Sequence, residues 1–122
     1  MAEVHTTYEW DAKKNMIRGK FSIKEPDRTL TGSQVIMKDP RSGLLHSWLF
    51  EEDGGFGEGA WTRDGKKWVI DASGVQPDGG EMSATNILTP IDKDSFTWQS
   101  TERTLDGEDL PNIPPVKVTR VK

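Results

Sequence analysis

The chain has 122 residues, the length of one domain with a single core and too short for two. Sixteen basic and twenty acidic residues give a formal net charge of -4, with both signs scattered, which argues against nucleic acid and anionic membranes as partners. Cysteine is absent, which excludes disulfides, thiolate metal sites and cysteine nucleophiles. We expect a single domain over residues 1–122.

The core and the cellular location follow from the apolar residues. These make up only 33% of the chain, but five Trp and four Phe bury large areas each, so the sequence predicts an aromatic core. No apolar run approaches the roughly 20 residues of a transmembrane helix, and the first ten residues lack the apolar segment of a signal peptide. The sequence therefore predicts a soluble, cytoplasmic protein.

Along the chain, apolar and polar residues alternate with the period of two that is typical of half-buried strands. No window of 11 residues has a helical period. Residues 106–115 contain one Gly and three Pro and are predicted to be irregular. The predicted strands are 3–10, 16–24, 28–38, three strands between 44 and 74, 81–91, 95–105 and a last strand from Val116.

The stretch 44–74 has the clearest turns. Three apolar-rich runs are separated by Asp53-Gly54-Gly55 and Asp64-Gly65, which supply the positive φ angles of tight hairpins. A two-residue loop at Asp64-Gly65 would place Trp61 opposite Trp68, a pair of indoles that we predict to anchor the core. The glycine run 54–59 lacks the lysine and the following helix of a phosphate loop, so we interpret it as a bulged strand that makes room for indoles.

Nine short strands joined mostly by tight turns predict sequential antiparallel pairing. A sheet of that width tends to curl and close, so the fold class is an all-β, antiparallel up-and-down meander closing into a β-barrel of about 8–10 strands. A two-sheet sandwich is the alternative, but its crossovers need long connections and only 106–115 is long. A barrel of this size can hold one small ligand.

The sequence also resembles a known bacterial family. The resemblance covers most of the chain from about residue 28 and includes TGSQVIMKDPRSG, HSWLFEEDGGFGEGAWTRDGKKWVIDASGV, SATN and FTWQSTERTLDGEDLPNIPPV. These segments resemble an uncharacterised domain that often follows a SnoaL-like (NTF2-like) domain in larger proteins. The resemblance implies a lipocalin-like β-barrel of unknown function and no reaction. No SnoaL-like domain precedes the barrel within these 122 residues.

The candidate site comes from the hairpin of the third and fourth strands. Pairing Gln34 with Trp48 places His46 on the same aromatic and polar face, whereas Val35 and Leu49 lie on an aliphatic face. Either face can line the interior, and we adopt the first, because ligand sites are apolar surfaces with a few placed polar groups. The predicted ligand-binding residues are Gln34, His46, Trp48, Trp61, Trp68, Asn86, Trp98 and Arg103.

A few residues have side chains capable of catalysis. His46 could be a general base, but no metal-ligand spacing accompanies it, and a hydrogen-bonded barrel histidine is the simpler interpretation. Glu58 and Asp71 are predicted to face each other across two strands, either as an acid/base pair or as two solvated carboxylates. Arg103 either points inward to a ligand carboxylate or phosphate or forms an outward ion pair. We assign no catalytic residue, metal or cofactor.

Three functional hypotheses follow. The leading one is a binding module that holds a small apolar or amphipathic ligand in an aromatic-lined interior. The second is an accessory or interaction domain with a packed interior that docks a partner domain or self-associates as a homodimer. The third is a cofactor-free enzyme. An internal cavity would favour the first hypothesis over the second.

Overall fold

The computed structural model describes residues 3–121, and 71% of the chain is β-strand. Within those residues there is no helix, so no helical segment is available to cross a membrane. The strands are β1 (Glu3–Trp10), β2 (Met16–Lys24), β3 (Thr29–Lys38), β4 (Leu45–Glu51), β5 (Phe56–Asp64), β6 (Lys67–Val75), β7 (Glu81–Asp92), β8 (Ser95–Leu105), β9 (Glu108–Asp109) and β10 (Ile113–Thr119).

The strands form one antiparallel sheet in chain order. β1 to β8 each pair with the next strand, β10 follows β8, and the short β9 pairs with β8. The sheet curls into a half-barrel, which confirms the all-β up-and-down meander. β1 and β10 lie at its two edges and do not pair with each other in the described residues.

The segment 106–115 is more regular than the sequence predicted. It contains β9 and the start of β10, and the Leu110 backbone N–H donates to the Arg103 carbonyl at 2.7 Å. Pro114 and Pro115 lie in β10 where its register with β8 shifts, between Ile113 and Val116. Prolines are tolerated there because β10 is an edge strand.

The β5–β6 hairpin has a different register from the predicted one. Asp64 pairs with Lys67, so the loop residues are Gly65 and Lys66, and Gly65 adopts the positive φ of 61°. Trp61 therefore lies opposite Ile70 rather than Trp68. The displacement is two residues, so every side chain keeps its face. The two indoles still meet diagonally, with ring centroids 5.9 Å apart in an edge-on arrangement.

The β3–β4 hairpin is displaced by one residue, and this correction changes the site. Lys38 pairs with Leu45 and not with Leu44, because Leu44 belongs to the loop, where its carbonyl accepts from the Asp39 N–H at 2.8 Å. Gln34 consequently pairs with Leu49, and His46 pairs with Met37. A one-residue slip exchanges the faces. The predicted face that joins Gln34 to His46 and Trp48 is wrong.

The two faces of the sheet differ in burial. Most of the buried strand residues share one face, which we call the inner face: Gly19, Ser47, Gly59, Ile70 and Ser100. The opposite, outer face carries most of the charged residues of the strands. Ile70, with 8% of its surface exposed, is the buried hydrophobic residue of the described chain. The core is therefore thin and lies at the middle of the inner face.

Candidate functional site

The inner face of β3–β8 forms an aromatic trough, and six of the eight predicted site residues lie on it. Ile70 at its centre pairs with Trp61 on one side and with Asn86 on the other. Leu88 separates two further indoles, because it pairs with both Trp68 and Trp98. The six residues are Gln34, Trp61, Trp68, Asn86, Trp98 and Arg103.

Polar groups are interspersed among these rings. The Trp61 indole Nε1–H donates to the Ser47 hydroxyl at 2.9 Å, which fixes the orientation of that ring. Ser47 is 6% exposed, and Ser100, opposite Asn86, is 2% exposed. Gln34 lies between Gly19 and Leu49. The trough thus combines apolar surface with a few hydrogen-bonding groups, as small-molecule sites do.

Gly59 makes room for an aliphatic side chain rather than for an indole. A Cβ at Gly59 would lie 2.7 Å from Ile70 Cγ2 and 3.1 Å from Ser47 Oγ. The register of β5 with its neighbours is continuous from Gly57 to Gly59, so the bulge predicted for the glycine run is absent from these strands. The missing side chain at Gly59 therefore leaves room for the Ile70 side chain.

Arg103 reaches the trough because of a bulge in β8. Glu102 has a positive φ of 51°, and the register shifts there by one residue, which places Arg103 on the inner face. Its Nη1–H donates to the Pro111 carbonyl at 3.0 Å. The alternative, an outward ion pair, is not formed within residues 3–121. The guanidinium is thus oriented by one backbone oxygen and keeps further donors for other partners.

The other two predicted residues, His46 and Trp48, lie on the outer face. Their ring centroids are 4.5 Å apart, and His46 Nε2 is 3.2 Å from Glu58 Oε2. The side chains of His46 and Glu58 are 25% and 56% exposed. The predicted opposition of Glu58 and Asp71 is also wrong, because the two-residue shift pairs Glu58 with Ser73. Glu58 instead partners His46, away from the trough.

Two side chains of the inner face, Glu51 and Tyr8, have raised pKa values. Burial raises the pKa of the Glu51 carboxyl above its ordinary value, and the neighbouring Asp53 charge raises it further. Burial also raises the pKa of the Tyr8 phenol, although 55% of that residue is exposed. Tyr8 lies opposite Gly19 on the inner face, and a Cβ at Gly19 would be 3.0 Å from the Tyr8 ring. Tyr8 extends the trough to β1.

Two grooves of the sheet lie mainly outside the trough, and neither is the internal cavity that would favour the binding module over the interaction domain. One groove of about 420 Å³ is lined mainly by outer-face residues such as Phe56, Glu58 and Ser73. A second, of about 380 Å³, lies beside Lys20 and Phe50, and neither is enclosed. Residues 3–121 contain no group of three or more His, Asp or Glu side chains placed to hold a metal ion.

Ser47, Ser100 and Ile70 form the floor of the trough and were not predicted from the sequence. Ser47 was the hardest to identify, because its face depends on the β3–β4 register. Ile70 carries a usable signal, since it lies two residues after Trp68 and must share its face.

These features define a curled β-sheet whose inner face carries partly exposed indoles. Comparisons of the chain with protein-family profiles, with curated proteins and with solved structures found no match.

Proposed function

We propose that the protein is a small-molecule-binding module whose trough holds an apolar or amphipathic ligand. The observation that carries the proposal is the placement of three indoles, Trp61, Trp68 and Trp98, on the more buried face of the sheet, where solvent still reaches them. Large rigid rings supply apolar contact at low conformational cost. The ring of Trp61 is already oriented by its hydrogen bond to Ser47.

The polar groups indicate the ligand's chemistry. Gln34 and Asn86 can each donate and accept a hydrogen bond, and they lie at positions along the trough that are separated by the indoles. Arg103 uses Nη1 for the Pro111 carbonyl, and a guanidinium has five N–H donors, so it can also bind a carboxylate. An amphipathic ligand with an acidic head and an apolar tail fits this arrangement.

The test compares one indole from each face. An apolar fluorescent probe should bind at a definite stoichiometry and quench part of the tryptophan emission, because the indoles line its site. Trp98→Ala, in the trough, should weaken probe binding about tenfold, the equivalent of about 1.4 kcal/mol of lost contact. Trp48→Ala, on the outer face, is the matched control and should leave the affinity unchanged.

Two other outcomes would contradict the proposal. If Trp48→Ala weakens binding and Trp98→Ala does not, the ligand site lies on the outer face beside His46. If no probe binds at a definite stoichiometry, the trough is not a small-molecule site. Circular dichroism on each variant checks that the sheet is retained.

The second candidate, an interaction module, is favoured by a different observation. On β1, Val4, Tyr8 and Trp10 present their side chains on the inner face and remain 60%, 55% and 59% exposed. Exposed apolar residues that are contiguous mark interaction sites more often than isolated ones do. This edge of the trough is therefore the place to look for a partner.

A further inference from the structure

The chain exposes more surface than a monomer of its size. Its solvent-accessible surface is 8945 Å², whereas a folded monomer of 13.7 kDa exposes about 6,600 Å². The excess of about 2,300 Å² per chain corresponds, for two chains, to an interface within the roughly 2,000–5,000 Å² of obligate homodimers. The open sheet therefore leaves exposed area available for an interface with a second copy.

The two edges of the sheet differ in how they are protected. β10 carries Pro114 and Pro115, a register shift at those residues, and Lys117, which are devices that block further strand pairing. β1, of sequence EVHTTYEW, has eight residues without Pro, Gly, Lys or a register shift. Its outer edge has no strand partner in the described residues. Only β1 is therefore suited to add a strand.

We propose that β1 pairs with β1 of a second copy, antiparallel about a two-fold axis at Thr7. Nine strands lie along the path of the sheet, so β1 and β10 run in the same direction, and closure within one chain would need a parallel pair. Two-fold pairing of β1 with itself is antiparallel, like every other pair in the sheet, and gives an isologous dimer.

The charges of β1 select the register. With Thr7 on the axis, His5 of each copy lies opposite Glu9 of the other, and Val4 lies opposite Trp10. A shift that puts Thr6 on the axis would place Glu3 opposite Glu9 twice, and like charges directly opposite destabilise a pair. A shift that puts His5 on the axis would leave Tyr8, Glu9 and Trp10 unpaired. The Thr7 register therefore pairs the most residues without repulsion.

The pairing also covers the exposed apolar residues of the edge. Val4, Tyr8 and Trp10 lie on the same face as the trough, and the second copy continues that face across the axis. The dimer does not depend on ligand binding, so either proposal can fail without the other.

Thr7→Glu tests the dimer with little risk to the fold. Within its own sheet Thr7 is exposed and lies opposite Lys20, so a carboxylate there is favourable in the monomer, whereas in the dimer two carboxylates meet on the axis. Sedimentation equilibrium of the wild-type chain should give twice 13.7 kDa. Thr7→Glu should raise the dimer dissociation constant about fivefold or more. Thr119→Glu adds the same charge to β10 and should leave it unchanged.

Cross-linking of single-cysteine variants can determine the register of the β1 pair. The chain has no native cysteine, so Thr7→Cys, Thr6→Cys and His5→Cys each carry one thiol. A short thiol-reactive cross-linker should join copies fastest through position 7. Faster reaction at position 6 or 5 would assign another register and overturn the proposed axis. If Thr119→Cys reacts fastest, the contact lies at β10. If sedimentation shows a monomeric wild-type chain at micromolar concentration, the dimer proposal is overturned.

Discussion

Strands β1 and β6 both place aromatic residues on the inner face but have very different environments. In β6, Trp68 and Ile70 lie on the inner face between β5 and β7, and Ile70 is 8% exposed. In β1, Tyr8 and Trp10 lie on the same face, but within residues 3–121 β1 pairs with β2 alone, and Trp10 is 59% exposed. Burial on this sheet is thus decided by strands on both sides and not by the pattern within a strand.

The centre also has contacts that the edge lacks. The Trp68 ring packs edge-on against Trp61, and the Arg63 guanidinium carbon lies 5.5 Å from its centroid. Such ring pairs and cation–π contacts each add about 0.5–1.5 kcal/mol to the burial of the ring. Trp10 has no comparable ring contact in residues 3–121. Substitutions of the same kind should therefore have unequal effects on the two strands.

The largest difference should come from removing one indole at each place. Trp68→Ala should lower the free energy of unfolding by about 3 kcal/mol, because it removes buried apolar area and leaves a gap beside Trp61. Trp10→Ala should cost less than about 1 kcal/mol, since most of its surface is already exposed. Urea melts in the Thr7→Glu background measure both, because the stability of a homodimer depends on its concentration.

Equal losses of unfolding free energy in Trp68→Ala and Trp10→Ala would contradict the expected difference between β6 and β1. A small loss for Trp68→Ala would mean that the centre of the inner face contributes little packing energy. A large loss for Trp10→Ala in the Thr7→Glu background, at a protein concentration where sedimentation shows a monomer, would mean that β1 belongs to the core.

A smaller difference is expected from filling two glycines of the inner face. Gly59→Ala should cost about 1–2 kcal/mol, because its Cβ would lie 2.7 Å from Ile70 Cγ2 at the crowded centre. Gly19→Ala should be close to neutral, although its Cβ would lie 3.0 Å from the Tyr8 ring, because Tyr8 is at the edge and can move. Thermal or urea unfolding measures both. A larger loss at Gly19 would contradict the distinction.

The strands themselves could be predicted from the sequence. β1, β2 and β8 have the predicted bounds, because a period of two ends there at residues such as Asp11, Glu25 and Asp106 that favour turns. These are local signals, and they require no knowledge of the neighbouring strand.

The registers could not be predicted in the same way. The number of residues in a loop depends on its conformation, as at Gly43, whose φ of 76° and N–H bond to the Asp39 carbonyl keep Leu44 in the loop. An error of two residues in β5–β6 left Trp61 and Trp68 on the predicted face. An error of one residue in β3–β4 moved His46 and Trp48 to the other face. A register error of an even number of residues keeps each side chain on its predicted face, whereas an error of an odd number moves it to the other face. This is why Trp61 and Trp68 were placed correctly and His46 and Trp48 were not.

The smallest effect should come from Glu51, at the end of the trough. Burial raises its pKa in the folded state, so the folded protein favours the protonated form, and this stabilisation is lost as the pH rises through the raised pKa. Glu51→Gln removes the charge and should stabilise the protein at pH 7 by less than about 1 kcal/mol, since solvent screens a partly exposed group. The gain should vanish near pH 4, where the wild-type carboxyl is largely protonated.

Urea melts of Glu51→Gln and the wild-type chain at the two pH values measure this difference. The same change at the neighbouring exposed Glu52 is the control, because it removes an equal charge from a solvated position. If Glu51→Gln gains as much at pH 4 as at pH 7, the effect comes from amide packing and not from the cost of a buried carboxylate. If Glu52→Gln gains as much at pH 7, the gain reflects the net charge of -4. Only a gain confined to Glu51 and to neutral pH places a desolvated carboxylate at the mouth of the trough.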